Sequence, residues 1–154
     1  MDVLIRPAVL ADAPAIAEFN ARIAEETEHR HLDLDTLSAG VRAVVSDASK
    51  GIYFVAETDR RVVGQLMITY EWSDWRNGNF WWIQSVYVDK AFRGRGVFKR
   101  LFAHVCNLAA KEHDVCGLRL YVDQENASAM KTYETLGMMK TSYEMYEMDF
   151  VHGA

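Results

Sequence analysis

The pattern of apolar and polar positions predicts a chain in which short strands alternate with amphipathic helices. Apolar residues recur at three- and four-residue spacing in four stretches, with β-branched or alternating runs between them. Strands are expected over residues 3–6, 52–58, 62–70, 80–88 and 116–122, with one or two more in 138–150, and helices over 13–23, 36–45, 97–112 and 126–136. The order β-α-α-β-β-β-α-β-α-β(-β) indicates one α/β domain over residues 1–154, with helices covering an α+β mixed sheet.

Three connections in this pattern bear on function. Residues 24–35 are polar and rich in Glu and His, which predicts a connector after the first helix, and residues 71–79 predict a polar loop. The dipeptide Asp59-Arg60 predicts a tight hairpin turn. The strand over 80–88 is apolar on both faces, as is typical of a strand in the middle of a sheet.

Composition and charge narrow the classes of function. Half of the 154 residues are hydrophobic, and the formal net charge of −5 argues against binding to nucleic acid. The sequence has no apolar run of membrane-spanning length and no basic, hydrophobic leader. Cys106 and Cys116 lack a CxxC partner and are expected to be reduced core residues, so we expect a cytoplasmic protein without membrane contact. His29 and His31 have no further ligand nearby, and no metal is assigned to them.

The most informative stretch is the glycine-containing turn after the strand over 80–88. Gly94 and Gly96 let the backbone approach a ligand, and the helix expected from Val97 presents free N–H groups at the same point. Five cations gather here on an acidic chain, namely Lys90, Arg93, Arg95, Lys99 and Arg100. The turn therefore predicts a site for a compact anion such as a diphosphate. The alternative is a plain glycine turn with a solvated basic face and Phe98 in the core.

Two motifs together resemble the GCN5-related N-acetyltransferase (GNAT) family. Residues 93–98 fit its pyrophosphate loop, Arg/Gln-x-x-Gly-x-Gly/Ala, except that Phe98 replaces the last small residue. Residues 126–138 fit its second signature, Asn-x-x-Ala-x-x-x-Tyr-x-x-x-Gly-aromatic/apolar, which places Asn126 and Tyr133 on one helix face. The element order also matches, so the resemblance covers essentially the whole chain.

The resemblance implies an N-acetyltransferase that uses acetyl-CoA as its co-substrate. It implies direct attack of a primary amine on the thioester, an oxyanion stabilised by central-strand N–H groups near Val86 and Val88, and Tyr133 as the general acid. The residues that it implies for cofactor binding are Val86, Tyr87, Val88, Arg93, Gly94, Arg95, Gly96, Val97, Phe98, Asn126 and Tyr133. It also implies that the central strand diverges from the strand that follows it.

The general base is where this sequence departs from the family pattern. Many relatives have a Glu on the central strand, and Gln84, which cannot accept a proton as a base, stands at the matching position. Base function is then expected to pass through water to another group. The candidates are Glu71, Asp74, Glu28, His29 and His31.

The residues expected at the acceptor are Glu28, Glu71, Trp75 and Gln84. Acidic and aromatic groups together suit an ammonium, so the acceptor is expected to be a small-molecule or peptide amine. Residues 70–75 also resemble the spermidine/spermine acetyltransferase branch, in which an acidic pair is expected where Gln84 and Ser85 stand here.

Two other classes of function compete with catalysis. A non-catalytic acyl-CoA-binding or regulatory domain would explain Gln84 and Phe98, and a nucleic-acid-binding module would use the basic turn but conflicts with the net charge. The tryptophans at positions 72, 75, 81 and 82 are expected to be exposed, as at a homodimer interface or a lidded pocket.

Overall fold

A five-stranded mixed sheet organises the first 120 residues of the protein. The computed structural model describes residues 1–151, which fall into two units, residues 1–120 and the chain from Tyr121 onward. The strands are β1 (Leu4–Pro7), β2 (Ile52–Thr58), β3 (Arg61–Ser73), β4 (Gly78–Val88) and β5 (Val115–Arg119). The helices are α1 (Ala13–Glu28), α2 (Leu34–Ser46) and α3 (Val97–Lys111) in the first unit and α4 (Ala127–Thr135) in the second, and short 3-10 turns cover Leu10–Asp12 and Lys90–Phe92.

The sheet has the strand order β1-β2-β3-β4-β5. The first four strands are antiparallel neighbours, and β5 is parallel to β4. Helix α3 supplies the crossover that a parallel pair requires. This architecture confirms the α/β fold class with a mixed sheet, whereas the single domain over 1–154 stays a prediction.

The two faces of the sheet are covered by different helices. On one face, Ile16 of α1 and Val41 of α2 pack against Tyr53 and Val55 of β2, and all four are buried. On the other face, α3 approaches so closely that a Cβ on Gly64 would lie 2.9 Å from Val97 Cγ1. Because side chains alternate along a strand, one apolar run per strand serves both cores.

The β3–β4 hairpin is longer than the sequence pattern predicts. Residues 71–79 were expected to be a loop, but Glu71 pairs with Phe80 and Trp72 with Asn79, and only residues 74–77 form the turn. Polar residues can continue an antiparallel pair where one face of the sheet is exposed to solvent. The first hairpin is as predicted, with Asp59 and Arg60 at φ of 49° and 60°, the left-handed pair of a type I′ turn.

Helix α1 also extends beyond its predicted end. It continues through Glu28 and stops at His29, whose φ of 52° is left-handed, so the expected connector shrinks to residues 29–33. The extra turn has exposed polar side chains, so it lacks the apolar periodicity that predicts a helix. Trp81 was expected to be exposed but is 8% exposed, because β4 is paired on both sides at this position. Cys106 is half-buried and Cys116 is exposed, so the predicted core placement of Cys116 is wrong.

The second unit contains α4 and no strand within its described residues. Gly137, at φ 97°, ends the helix as predicted, with Met138 N–H donating to the Tyr133 carbonyl over 3.0 Å. The strand or strands expected over 138–150 are absent up to residue 151, and Tyr143 and Val151 donate their N–H groups to side chains two residues earlier. Backbone groups satisfied locally in this way do not form a ladder. No helix within residues 1–151 has the length and apolarity to cross a bilayer.

Gly64 provides a direct test of the contact between β3 and α3. Replacing it with alanine would drive the new Cβ into buried Val97, so we expect Gly64→Ala to lower the free energy of unfolding by about 1–3 kcal/mol. Gly40→Ala is the matched control, because this glycine lies within α2 with open space around it. It should raise the free energy of unfolding by about 0.5–1 kcal/mol. Denaturant unfolding of both variants measures the difference, and equal effects would contradict the described packing.

Candidate active site

A bulge interrupts β4 close to its carboxyl end. Gln65 of β3 pairs with Tyr87 and Met67 with Gln84, so Ser85 and Val86 together stand opposite one residue. Ser85 has a φ of 52°, a left-handed conformation that costs free energy for a residue with a side chain. The bulge reorients the backbone at the place where the sequence predicts cofactor contacts near Val86 and Val88.

A buried chain of polar side chains supports this bulge. The Gln65 side chain is fully buried, and its Nε2 donates to the Ser85 carbonyl over 3.0 Å and to Asn20 Oδ1 over 3.2 Å. Asn20 Nδ2 in turn donates to the Tyr53 hydroxyl over 2.9 Å. The chain runs from β2 through α1 and β3 to β4, so three elements fix the distorted one. A hydrogen bond inside a protein interior is costly to lose, which makes this arrangement rigid.

Beyond the first half of β4, the strand has a partner on one side only. Its pairing with β5 runs from Asn79↔Val115 to Trp82↔Arg119 and stops there. Residues 83–88 therefore have strand neighbours in β3 but none in β5 within the part of the chain that the structure describes. An extended backbone with one unpaired edge can bind an extended ligand by main-chain hydrogen bonds.

The glycine turn follows directly and leads into α3. Gly94 and Gly96 have φ of 75° and 78°, and a Cβ on either would meet no protein atom within 4 Å. The space in front of both glycines is thus open to a ligand. Val97, the first residue of α3, is buried, and the Phe98 ring lies 6.0 Å from the Phe102 ring one helical turn later. Phe98 is therefore half-buried along its own helix, as an i, i+4 aromatic pair.

The cations of the turn have different partners. Lys90 and Arg93 form ion pairs with Glu26 of α1, over 2.9 and 3.2 Å, and Arg100 donates to the Val3 carbonyl over 3.3 Å. Arg95 is exposed, with its guanidinium 5.5 Å from the Phe92 ring. Burial alone raises the pKa of Glu26, but hydrogen bonds from Lys90 and Arg93 outweigh it and hold the pKa below its usual value. Glu26 is thus an anion that partly neutralises the basic turn.

Two of the expected acceptor residues lie on the α1 side of the sheet. Glu71 Oε1 accepts hydrogen bonds from Trp82 Nε1 over 3.2 Å and from Arg119 over 2.6 Å. Gln84 Nε2 donates to Thr69 Oγ1, and Thr69 pairs with Trp82 across the strands. Glu71, opposite Phe80, and Gln84, opposite Met67, therefore lie on the same face of the ladder, one on each side of the Thr69–Trp82 pair.

The other acceptor candidates are placed differently. Glu28 is exposed at the last position of α1, and Trp75 is 85% exposed in the turn between β3 and β4. No hydrogen bond or ion pair within residues 1–151 brings either side chain to Glu71 or Gln84. No group of three His, Cys, Asp or Glu side chains in that range could hold a metal ion.

The second motif forms the start and the interior of α4. Asn126 caps the helix, with its Oδ1 accepting the Ala129 N–H over 3.1 Å. Tyr133, two helical turns beyond Asn126, is half-buried, and burial raises the pKa of its hydroxyl. A phenol with a raised pKa keeps its proton at neutral pH, which is the state that a general acid needs.

Comparison with known proteins is consistent with this geometry. Residues 14–138 match the model of the acetyltransferase (GNAT) family. A possible acetyltransferase from Clostridium difficile 630 is 49% identical over 97% of this chain and 99% of its own, with a TM-score of 0.91. The comparison with curated proteins found no match.

Two more distant structures share the fold. A ribosomal-protein-alanine N-acetyltransferase from Brucella melitensis biovar Abortus 2308 is 19% identical, covers 97% of this chain and 100% of its own, and has a TM-score of 0.75. A predicted acetyltransferase with acetyl-CoA from Clostridium acetobutylicum is 17% identical over 96% of each chain, with a TM-score of 0.76.

The fold and the family match thus define an acyltransferase. More particularly, the chain belongs to the GNAT acetyltransferase family, since the family model spans most of its length. Enzymes of this family transfer the acetyl group of acetyl-CoA to amine acceptors.

The sequence does not reveal the residues that support the bulge of β4 and the glycine turn. Gln65 is a lone polar residue in an apolar strand, and that anomaly was an available signal for a buried hydrogen bond. Tyr87 is expected at the cofactor, but its ring packs against Phe19 and the residue is 5% exposed, so its side chain is not accessible to a ligand. The pairing of Glu26 with Arg93 spans 67 residues and has no local signature.

The role of Gln65 can be tested by removing its amide while keeping its shape. Gln65→Met should lower the free energy of unfolding by about 1–3 kcal/mol, because the Ser85 carbonyl and Asn20 lose a buried donor. Leu66→Met is the control, a buried neighbour without hydrogen bonds whose replacement should cost less than about 1.5 kcal/mol. Denaturant unfolding compares the two, and a smaller loss for Gln65→Met than for the control would contradict the support of the bulge.

Proposed function

We propose that this protein transfers the acetyl group of acetyl-CoA to a primary amine by direct attack on the thioester. The observation that supports this best is the continuity of the unpaired edge of β4 with the open glycine turn. Such a path suits a ligand with an extended amide-bearing arm and a diphosphate end, which is the chemistry of coenzyme A. The neighbour from Clostridium acetobutylicum, whose fold is the same, is described with acetyl-CoA.

In this proposal the cofactor is bound by main-chain groups more than by side chains. The arm lies along Val86 and Val88, and the diphosphate lies over Gly94 and Gly96 at the start of α3, where helix N–H groups attract negative charge. Val97 and Phe98 contribute their backbone N–H groups, since their side chains pack into or along α3. A backbone N–H near Val86 would stabilise the oxyanion of the tetrahedral intermediate.

The bonds and protons exchanged in the reaction give roles to Tyr133 and Asn126. Attack by the neutral amine forms the C–N bond, and collapse of the tetrahedral intermediate breaks the C–S bond and expels the thiolate of coenzyme A. Tyr133 gives its proton to that thiolate, which its raised pKa permits at neutral pH. Asn126 starts the same helix and holds its first turn in place.

The acceptor amine is proposed to lie against the face of the sheet that carries Gln84. Gln84 uses its Nε2 on Thr69, so its carbonyl oxygen can accept a hydrogen bond from the amine. Glu71 is less suited to bind the ammonium or act as the base, because Arg119 and Trp82 already engage its carboxylate. The proton of the amine would then leave through water toward Glu28 or another of the exposed groups near α1.

A second candidate function is binding of acyl-CoA without turnover. The specific observation in its favour is that the central strand has an amide, Gln84, and that the nearest carboxylate on the same ladder is ion-paired. The two functions differ in one measurable respect, which is release of free coenzyme A in the presence of an amine.

The acetyl-transfer proposal predicts coenzyme A release with some member of a panel of amines. With such an acceptor, Tyr133→Phe should lower kcat by about 100-fold while leaving the affinity for acetyl-CoA near the wild-type value, because only the acid is lost. Thiol release measures turnover, and calorimetry measures binding. A mutant with full kcat would remove Tyr133 from the chemistry, and tight binding without turnover on any amine would favour the binding function.

The proposed diphosphate contact predicts a specific effect of a methyl group in the turn. Gly96→Ala meets no protein atom, so its folded-state cost is the left-handed conformation, about 1–2 kcal/mol. We expect it to weaken coenzyme A binding by about tenfold or more, since the methyl group would project into the space of the ligand. Gly137→Ala is the control with the same conformational cost and equally open surroundings. Equal affinities of the two variants in calorimetry would show that the ligand does not approach Gly96.

A further inference from the structure

The end of α1 and the beginning of the glycine turn are tied together by several contacts. Phe19 packs against Tyr87 with ring centroids 4.9 Å apart, and Arg22 lies 5.9 Å from the Phe19 ring centroid. One turn further along α1, Glu26 reaches Lys90 and Arg93. One face of α1 therefore contacts the end of β4 through apolar Phe19 and the turn through charged Glu26, two helical turns later.

Arg93 is the residue on which these contacts converge. Its Nε donates to the Val88 carbonyl over 2.8 Å, and its Nη2 donates to Glu26 Oε2 over 3.2 Å. Its guanidinium also lies 5.1 Å from the Tyr87 ring centroid. A guanidinium held at three points in this way has little freedom to turn toward a ligand. Its place fixes the last residue of β4 relative to the turn.

Glu26 supplies the charged member of that arrangement. Its side chain is 25% exposed, less than the 46% of Arg93 and the 71% of Lys90 that pair with it. The less exposed carboxylate lies between the two cations and keeps both on the α1 side. Glu25, its neighbour in sequence, is exposed and makes no ion pair within the described part of the chain.

We propose that Glu26 is a positioning residue for the cofactor, which acts by holding Arg93 against the Val88 carbonyl. Arg93, in consequence, orders the end of β4 and does not neutralise the diphosphate. The negative charge of the diphosphate is stabilised instead by the N-terminal amides of α3 and by exposed Arg95 and Lys99. These two cations have no carboxylate partner within residues 1–151. This inference rests on the proposed binding of acetyl-CoA at residues 93–98 and adds a residue of α1 to that site.

The ion pairs of Glu26 also connect the glycine turn to the segment after α1. Residues 29–33 begin three residues beyond Glu26, directly after Glu28, and their first residue is the left-handed His29. A shift of Glu26 would therefore move Glu28, one of the expected acceptor residues, and the start of the segment that carries His29 and His31.

The test is calorimetric titration of coenzyme A into the wild-type protein and into Glu26→Gln and Glu25→Gln. Both substitutions remove one negative charge from the same helix end, so long-range electrostatics affects them alike. We expect Glu26→Gln to weaken binding by about fivefold, as the loss of partly buried ion pairs suggests, and Glu25→Gln to leave it unchanged. Thermal unfolding without ligand checks that all three proteins are folded.

A double-mutant cycle then asks whether Glu26 acts through Arg93. In the Arg93→Gln background, Glu26→Gln should change the affinity for coenzyme A by less than about twofold, because its partner is already gone. A full fivefold loss in that background, or unchanged or tighter binding by Glu26→Gln alone, would overturn the inference while leaving the proposed function intact. Failure of the wild-type protein to bind coenzyme A would overturn the proposed function, and this inference with it.

Discussion

The whole site depends on the hydrogen bond from the Gln65 side chain to the Ser85 carbonyl. An interior strand satisfies its backbone groups by pairing on both sides. A strand paired in that way has no free backbone N–H or C=O group to bind a ligand. In β4 the pairing with β5 ends at Trp82, and the bulge at Ser85 and Val86 takes the backbone out of register with β3. The Gln65 amide provides the Ser85 carbonyl with a partner that the ladder no longer gives. The distortion can then persist in a buried environment.

Helix α1 is the second element that this arrangement requires. Through Asn20 it holds Gln65, through Phe19 it covers Tyr87, and through Glu26 it reaches the glycine turn. A single helix thus supports the bulge through Gln65 and contacts the end of β4 and the turn directly. Rigid support of this kind favours binding, because the ligand does not have to order the backbone that receives it.

The sequence predicted the parts of the structure that follow from periodicity. Apolar spacing identified all four helices and five strands, and Gly94, Gly96 and Gly137 were located correctly at turns. Element ends at Glu28 and Glu71 were missed, because a polar residue on the exposed side of a helix or hairpin looks the same as a polar residue in a loop. The strand expected over 138–150 was wrong for a related reason, since alternating apolar residues do not specify which strand they would pair with.

Contacts between distant parts of the chain explain why the site could be predicted only in part. The turn at residues 93–96 is a local motif, whereas the carboxylate that holds two of its cations comes from α1. Counting basic residues in the sequence therefore does not reveal that Lys90 and Arg93 are ion-paired with Glu26. Of the five cations in the segment, three contact Glu26 or the Val3 carbonyl, whereas Arg95 and Lys99 have no carboxylate partner within residues 1–151. In the proposed site, a diphosphate would then be bound mainly by oriented backbone dipoles, whose strength does not depend on mobile side chains.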